Sequence, residues 1–242
     1  MAGPSAEPLQ QTAASSKNPL RLGYLRIISP RPNCYIGGLM ITDARGLPLS
    51  FNYTEPIQPT KLQQVLYGAA LTPYLKRDVI LQTLCKTLES KPIESFSSAA
   101  TAQPIAILVQ DDALVGYTPA SNPRQALPII RISETNTAPL GAPGTWQSMT
   151  ETEGLLQISV GASPVRILHP FDPIQQTESA PATAQTAEAG ALKETGLPKA
   201  LLELLKTGST MPVAEPLTRL ERALETLLQE ANLEQDPQEE AS

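Results

Sequence analysis

The sequence contains few of the residues on which several classes of protein depend. Its 242 residues include two cysteines, one histidine and one tryptophan. Two cysteines cannot form a disulfide framework, and they fall short of a structural zinc set. No apolar run approaches the roughly 18–20 residues that span a bilayer, and residues 1–17 lack the basic start and apolar stretch of a secretory signal. We therefore expect a cytoplasmic protein without a membrane partner, in which Cys34 and Cys85 are small interior side chains.

Charged residues are also scarce, and they are unevenly placed. They make up 17% of the sequence, whereas ordinary domains carry about 25%. Residues 1–170 have a net charge of +2, and residues 171–242 have a net charge of −8. Phosphate binding needs cations concentrated on one face, and an acidic tail works against it. We therefore do not expect nucleic acid as a partner.

Composition divides the chain into five parts. Both ends are polar and lack hydrophobic periodicity, and a stretch rich in Ala, Thr, Gln and Glu separates the apolar core from two amphipathic helices. The expected parts are a disordered leader (1–19), an α+β core domain (20–170), a flexible linker (171–195), amphipathic helices (196–234) and an acidic disordered tail (235–242).

The core alternates strand-like runs with one long helical segment. Thr60 is a helix N-cap candidate because Gln63 follows three residues later, and the apolar period continues to about residue 90 across a Thr-Pro break. The Asp43–Gly46 turn between two β-prone runs predicts a hairpin. The strand-like runs are Leu22–Ser29, Tyr35–Thr42, Leu47–Tyr53, Gln103–Val109, Ala113–Tyr117, Leu127–Ser133, Gly154–Val160 and Val165–Leu168.

This order of elements predicts an α+β fold. Consecutive hairpins imply an antiparallel sheet of about five to seven strands. A long helix, kinked or broken, covers one face of this sheet, and a helical hairpin follows at the C-terminal end of the chain.

One segment of the core carries a family resemblance. Gly38–Ser50 (GLMITDARGLPLS) resembles the central hairpin of profilin-like domains of the roadblock and longin type, in which an apolar strand, an Asp-x-x-Gly turn and a second strand precede a helix. The resemblance covers roughly residues 21–134. The chain departs from the roadblock pattern because it lacks a helix before the first strand and has a break at Pro73. The resemblance implies a non-catalytic adaptor that dimerises or docks through sheet edges and helices.

Motifs that carry chemistry are few. The sequence contains no Gly-x-Ser-x-Gly motif whose serine His169 could activate as a general base. It also contains no glycine-rich motif of the kind that binds nucleotides. Asp111 and Asp112 follow a β-prone run, where they fit a turn better than a chelate, since neighbouring strand residues point to opposite faces. We therefore expect no catalytic, cofactor-binding or metal-binding residues.

A polar cluster is a candidate site at the end of the third strand. Its four members stand in the loop before the long helix and in the helix itself, and such loops often carry function. They are Glu55, Gln58, Lys61 and Tyr67.

The C-terminal region carries the most regular pattern in the chain. An apolar seam spaced 4, 3, 4, 3, 4 begins at Val213 and ends at Ala231. A helix this short is marginal in water unless its seam is covered. The cover is either the chain itself, meaning the helix near 197–207 or the core, or a groove on a partner. The partner-binding residues of the second alternative are Leu217, Leu220, Leu224 and Leu227.

The sequence favours a non-enzymatic cytoplasmic adaptor or accessory subunit. It would bind a protein partner, or a second copy of itself, through the sheet edge and the tethered C-terminal helix. It needs no cofactor. The alternative is a carboxylate- or metal-dependent phosphodiesterase or nuclease subunit.

Overall fold

The computed structural model of the chain describes residues 21–88, 94–95, 103–116, 127–169 and 212–235, without the side chains of residues 94–95 and 231–235. The predicted leader, the linker, the helix near 197–207 and the acidic tail after residue 235 lie outside the described residues.

The described strands form one nine-stranded sheet with the order β4-β3-β2-β1-β5-β6-β9-β8-β7. The pairs β1–β5 and β5–β6 are parallel, and the other six pairs are antiparallel. The strands are β1 Arg21–Arg31, β2 Cys34–Asp43, β3 Pro48–Tyr53, β4 Glu94–Ser95, β5 Ile107–Val109, β6 Ile129–Ser133, β7 Trp146–Ser148, β8 Glu153–Leu156 and β9 Val165–Leu168.

The sheet is therefore mixed, and the prediction of an antiparallel sheet of five to seven strands is wrong. After the β1–β2–β3 meander the chain passes through the helical residues 61–87 and the edge strand β4 before β5. A crossover of this length lets β5 lie beside β1 in the same direction, which a short hairpin cannot do. All three residues of β5 are 0% exposed, as is typical of a parallel strand covered on both faces.

The predicted hairpin after β5 is also wrong. The residues that follow this strand form a turn with a short 3-10 helix over Asp112–Leu114, and no second strand forms among residues 110–116. Asp111 stabilises this turn because its carboxylate accepts a hydrogen bond of 2.9 Å from the backbone N–H of Ala113. The carboxylates at the end of β5 therefore lie in a turn, as the residue types indicate.

The hairpin between β2 and β3 is confirmed. Asp43 Oδ1 accepts hydrogen bonds of 2.9 Å from the backbone N–H groups of Arg45 and Leu47. Gly46 has a φ of 77°, a left-handed conformation that glycine adopts without a steric penalty. The side chain of Asp43 and this glycine together fix the turn that aligns the two strands.

The long helical segment is broken, but at Gly68, which has a φ of 51°, and not at the predicted Pro73, which lies inside the helical turn Leu71–Tyr74. Its N-terminus is a capping box, since Thr60 Oγ1 accepts from the N–H of Gln63 while Gln63 Oε1 accepts from the N–H of Thr60. The segment contains α1 Lys61–Tyr67, a 3-10 turn Gly68–Ala70, α2 Leu71–Tyr74, a π-helix Leu75–Leu81 and α3 Gln82–Thr87.

Only the later part of this segment covers the sheet. Ile80, Leu81 and Leu84 are buried against the face that includes Leu25 and Leu39. None of the residues of α1 is buried, although its sequence is apolar. Its large side chains remain 67%, 80% and 72% exposed at Leu62, Val65 and Leu66.

A C-terminal helix, α4 Glu215–Gln235, covers the opposite face of the sheet. Leu217, Leu220 and Leu224 are at most 1% exposed, and α4 contacts β1 and β2. The contact is close at Gly38 of β2, where a Cβ atom would lie 3.0 Å from one methyl group each of Leu220 and Leu224. The described residues thus form three layers, with the sheet between two helical covers.

Candidate functional site

The carboxyl ends of the three parallel strands meet at one edge of the sheet. Strand register places Tyr24 of β1 opposite Leu108 of β5, so Arg26 lies level with Gln110, the first residue after β5. In open sheets, ligands bind in the crevice outside the carboxyl ends of parallel strands. The turn Gln110–Ala113 occupies this edge, and cationic side chains from several elements converge on it. We call these side chains and the turn the carboxyl-edge cluster.

Arg26 holds the centre of the carboxyl-edge cluster. One terminal nitrogen, Nη1, donates to Oε1 of Gln110, and Nη2 pairs with Oε2 of Glu221 on α4 at 2.9 Å. The two side chains of this ion pair are 26% and 37% exposed. Within the part of the chain that the structure describes, the buried Nε of Arg26 has no hydrogen-bond acceptor.

Lys76 of the π-helix reaches the same turn from the helical cover. Its Nζ lies 2.6 Å from Oδ2 of Asp111. Burial raises the pKa of Asp111, but the hydrogen bonds from Lys76 and from the backbone N–H of Ala113, together with the charges of Lys76 and Arg26, outweigh it. The pKa therefore lies below its ordinary value, and this carboxylate is ionised at neutral pH.

Two further cations complete the cluster. Arg131 of β6 pairs with Asp112 at 2.6 Å, and Arg77 Nε donates to the backbone carbonyl of Ala113. Each of the four residues of the turn Gln110–Ala113 therefore contacts one cation. The four cations come from β1, the π-helix and β6, and the carboxylates of the cluster are Asp111, Asp112 and Glu221.

The predicted polar cluster lies elsewhere on the chain. Glu55, Gln58 and Lys61 are exposed, and no hydrogen bond or ion pair joins any two of the four predicted members among the described residues. Tyr67 stacks on Tyr74 with ring centroids 5.0 Å apart. The structure does not bring these four side chains together by polar contacts, and a site there stays a prediction.

The predicted partner-binding leucines lie on α4. Leu217, Leu220 and Leu224 are buried on the sheet of their own chain, and Leu227 is half-buried. Of the two covers that the sequence allows for this seam, the core occupies it in the structure. In this conformation the three buried leucines are not available to a partner.

The histidine and the cysteines are buried or half-buried. His169 is 6% exposed and lies 6.5 Å from the ring of Trp146. Cys34 is buried, and burial raises the pKa of the half-buried Cys85 thiol to about 11. In the described part of the chain, no three His, Cys, Asp or Glu side chains form a group that could hold a metal ion.

Sequence reasoning did not find the carboxyl-edge cluster. Its cations stand at positions 26, 76, 77 and 131, and only the order of strands in the sheet brings them to one turn. The acidic pair at 111 and 112 was the available signal, because it directly follows a continuous apolar strand, and such strands end at the edge where ligands bind.

Comparisons with known proteins give a likeness at the level of structure. No family model matches the sequence, and no curated protein matches it. Human endonuclease V matches with a TM-score of 0.42 and 13% identity, over 63% of this chain and 70% of that chain. Endonuclease V of Ciona intestinalis, in complex with a 24mer DNA containing an inosine followed by a ribo-adenosine, matches with a TM-score of 0.36 and 9% identity, over 64% and 73%. With TM-scores below 0.5, neither likeness identifies a family for this chain.

Two expectations need correction. The structures that match are of endonuclease V and not of roadblock-like adaptors. The exclusion of nucleic acid as a partner was judged from the charge of the whole chain, and the placement of the charges in the structure removes that ground. The negative charge belongs to residues 171–242, whereas four cations gather at one edge of the core. Among the described residues, no helix is long and apolar enough to cross a membrane.

Proposed function

We propose that this chain binds the phosphodiester backbone of nucleic acid at the carboxyl-edge cluster, as a subunit of the nuclease and phosphodiesterase class. The observation that carries the proposal is the convergence of four cations, Arg26, Lys76, Arg77 and Arg131, on the turn Gln110–Ala113. Guanidinium and ammonium groups are the usual donors to phosphate oxygens, and arginine can present two N–H groups to one phosphate.

The existing ion pairs leave these cations available. The carboxylate partners Asp111, Asp112 and Glu221 have side chains that are 32%, 67% and 37% exposed. Ion pairs with this much solvent contact contribute about 0–1 kcal/mol each. A phosphodiester carries a full negative charge and releases counterions on binding, so it can displace such partners.

A groove between β1 and α4 adjoins the cluster at Arg26. It has a volume of about 690 Å³, and its lining includes Arg26, residues 27–30 of β1, Glu221 and Glu225. The space beside Arg26 is therefore open to a ligand that reaches the cluster.

Phosphodiester hydrolysis is the second candidate function. The observation that favours it is Asp111, an ionised carboxylate with Lys76 at 2.6 Å at the edge where a bound phosphate would lie. A carboxylate in this position can orient an attacking water, and the lysine can neutralise the charge that develops on the phosphate. The change Asp111→Asn should then abolish cleavage of a labelled oligonucleotide while it leaves binding intact. Equal cleavage by both proteins would exclude this role.

Binding is tested by fluorescence anisotropy of the full chain with a labelled single-stranded 20-mer between 50 and 200 mM salt. Lys76→Gln and Arg131→Gln should each weaken binding about fivefold and reduce the slope of log K against log salt by about 0.7, the value for one lost phosphate contact. The matched control is Arg45→Gln, because Arg45 also pairs with an aspartate but lies at the β2–β3 turn. An equal loss for Arg45→Gln, or no loss for the cluster variants, would refute the proposal.

A further inference from the structure

Glu221 is the one described residue of the C-terminal helix whose side chain pairs with a cation of the carboxyl-edge cluster. It stands between Leu220 and Leu224, which are buried on the sheet. Packing of these leucines fixes the helix and so holds the carboxylate of Glu221 beside Arg26. The side chain of Glu221 is nevertheless 37% exposed to solvent. This carboxylate therefore lies where a phosphate bound to Arg26 would lie.

We propose that Glu221 is a built-in competitor for the phosphate site, an intramolecular carboxylate that occupies Arg26 until nucleic acid displaces it. The inference rests on the proposed function, because it assigns a regulator to the same site. Carboxylate and phosphate oxygens are alternative acceptors for one guanidinium group, and both bind it in the same fork geometry.

The contacts of Arg26 support an exchange of partners at this position. Gln110 holds Nη1, so the guanidinium keeps its orientation when Glu221 leaves. Nη2 then becomes free, and Nε is buried without an acceptor among the described residues. These two neighbouring N–H groups form one face of the fork, which can receive two oxygens of a single phosphate.

The exchange needs a side-chain rotation and not detachment of the helix. Glu221 lines the groove beside residues 27–30 of β1, and Glu225 lines the same groove one helical turn further along. The groove has room for the displaced carboxylate, because its volume is about 690 Å³. The leucine seam of α4 stays on the sheet in both states.

The test compares Glu221→Gln with Glu225→Gln in the anisotropy titration of the full chain with the labelled 20-mer. Both variants remove one negative charge from the same groove, but only Glu221 pairs with Arg26 in the structure. Glu221→Gln should tighten binding about two- to fivefold, as expected when an exposed ion pair no longer competes. Glu225→Gln should change affinity less than twofold. An equal gain for both variants would show a general charge effect and overturn the inference.

A double-mutant cycle locates the effect at Arg26. In an Arg26→Gln background, the change Glu221→Gln should give no gain, because the competed donor is absent. A gain of the same size in that background would overturn the inference. Wild-type binding that Lys76→Gln weakens and Glu221→Gln leaves unchanged would also overturn it, while the proposed function would stand. No binding by the wild type or by any variant would overturn both.

Discussion

Replacing Leu224 of α4 by alanine should destabilise the whole core. The side chain is 0% exposed and lies against β2 at Gly38. Removing a fully buried leucine costs about 2–5 kcal/mol, because the lost transfer energy adds to the energy of the cavity that remains. We expect the unfolding free energy of Leu224→Ala to fall by an amount in this range. The matched control is Leu227→Ala, since Leu227 is only half-buried and its loss should cost less.

The closeness of Gly38 makes a sharper version of this prediction. A Cβ atom at position 38 would lie 3.0 Å from Leu220 Cδ1, 3.0 Å from Leu224 Cδ2 and 3.1 Å from Phe51 Cε2. Gly38→Ala alone should therefore cost about 1–3 kcal/mol by overpacking. In the double variant with Leu224→Ala, the new methyl group enters part of the vacated space. We expect the two changes together to cost about 1 kcal/mol less than the sum of the single changes.

Urea unfolding of the full chain, followed by circular dichroism, measures all four proteins of this cycle. If α4 packs on the sheet, Leu224→Ala should lower the unfolding free energy by a large amount, and the double variant with Gly38→Ala should lose less free energy than the sum of the two single variants. A loss for Leu224→Ala below about 0.5 kcal/mol, which is typical of surface substitutions, would refute the packing. Strictly additive losses would refute the contact with Gly38. If the seam served only a partner, the isolated chain would unfold at the same urea concentration with or without Leu224.

Three other predictions concern single positions. Asp111→Asn keeps an acceptor for the turn but loses the ion pair with Lys76, so it should lower the unfolding free energy by about 0.5–1 kcal/mol at pH 7. The folded-state pKa of Asp111 is lowered from 3.8, so the ion pair stabilises the fold above pH 3.8 and this stabilisation is lost as the pH falls through the folded-state pKa. Urea unfolding at acidic pH should then give equal stabilities for the wild type and Asp111→Asn. Gly37→Ala should cost more than 1 kcal/mol in the same assay, because its Cβ would overlap the Cγ2 of Ile80, and near-wild-type stability would contradict that contact. Thr60→Ala should cost about 1 kcal/mol through loss of the capping box, whereas Thr60→Ser should be nearly neutral; equal losses would exclude the cap.

Local patterns predicted local structure well in this chain. Asp43 and Gly46 specify the turn between β2 and β3 because their side-chain and backbone requirements are met within a few residues. Thr60 specifies the start of α1 for the same reason. Strand direction is a different kind of property, since it depends on where the chain joins the sheet again as β5, after the helical residues 61–87 and β4. The amino acids of β5 do not determine which strand it pairs with, although three consecutive buried apolar residues are typical of a parallel strand.

The exposed face of α1 shows a second limit of periodicity. Leu62, Val65 and Leu66 follow the apolar spacing of the segment that the sequence places over the sheet, but they remain 67–80% exposed. The break that follows α1 turns the chain, so that the π-helix and α3 present Ile80 and Leu84 to the sheet instead. Apolar spacing identifies a helix and one of its faces, and tertiary geometry decides whether that face is buried.

The carboxyl-edge cluster could not be predicted because its members interact across large sequence separations. Arg26 and Gln110 are 84 residues apart, and Arg26 and Glu221 are 195 residues apart. A net charge of +2 over residues 1–170 says nothing about such a grouping, since a field at one edge depends on distances of a few ångströms and not on a sum over the chain. The same argument applies to the acidic C-terminal part of the chain. Charges that lie farther from the cluster than the screening length of about 8–10 Å have little effect on phosphate binding there. Glu221 lies 2.9 Å from Arg26, so its single carboxylate opposes phosphate binding more strongly than those distant charges do.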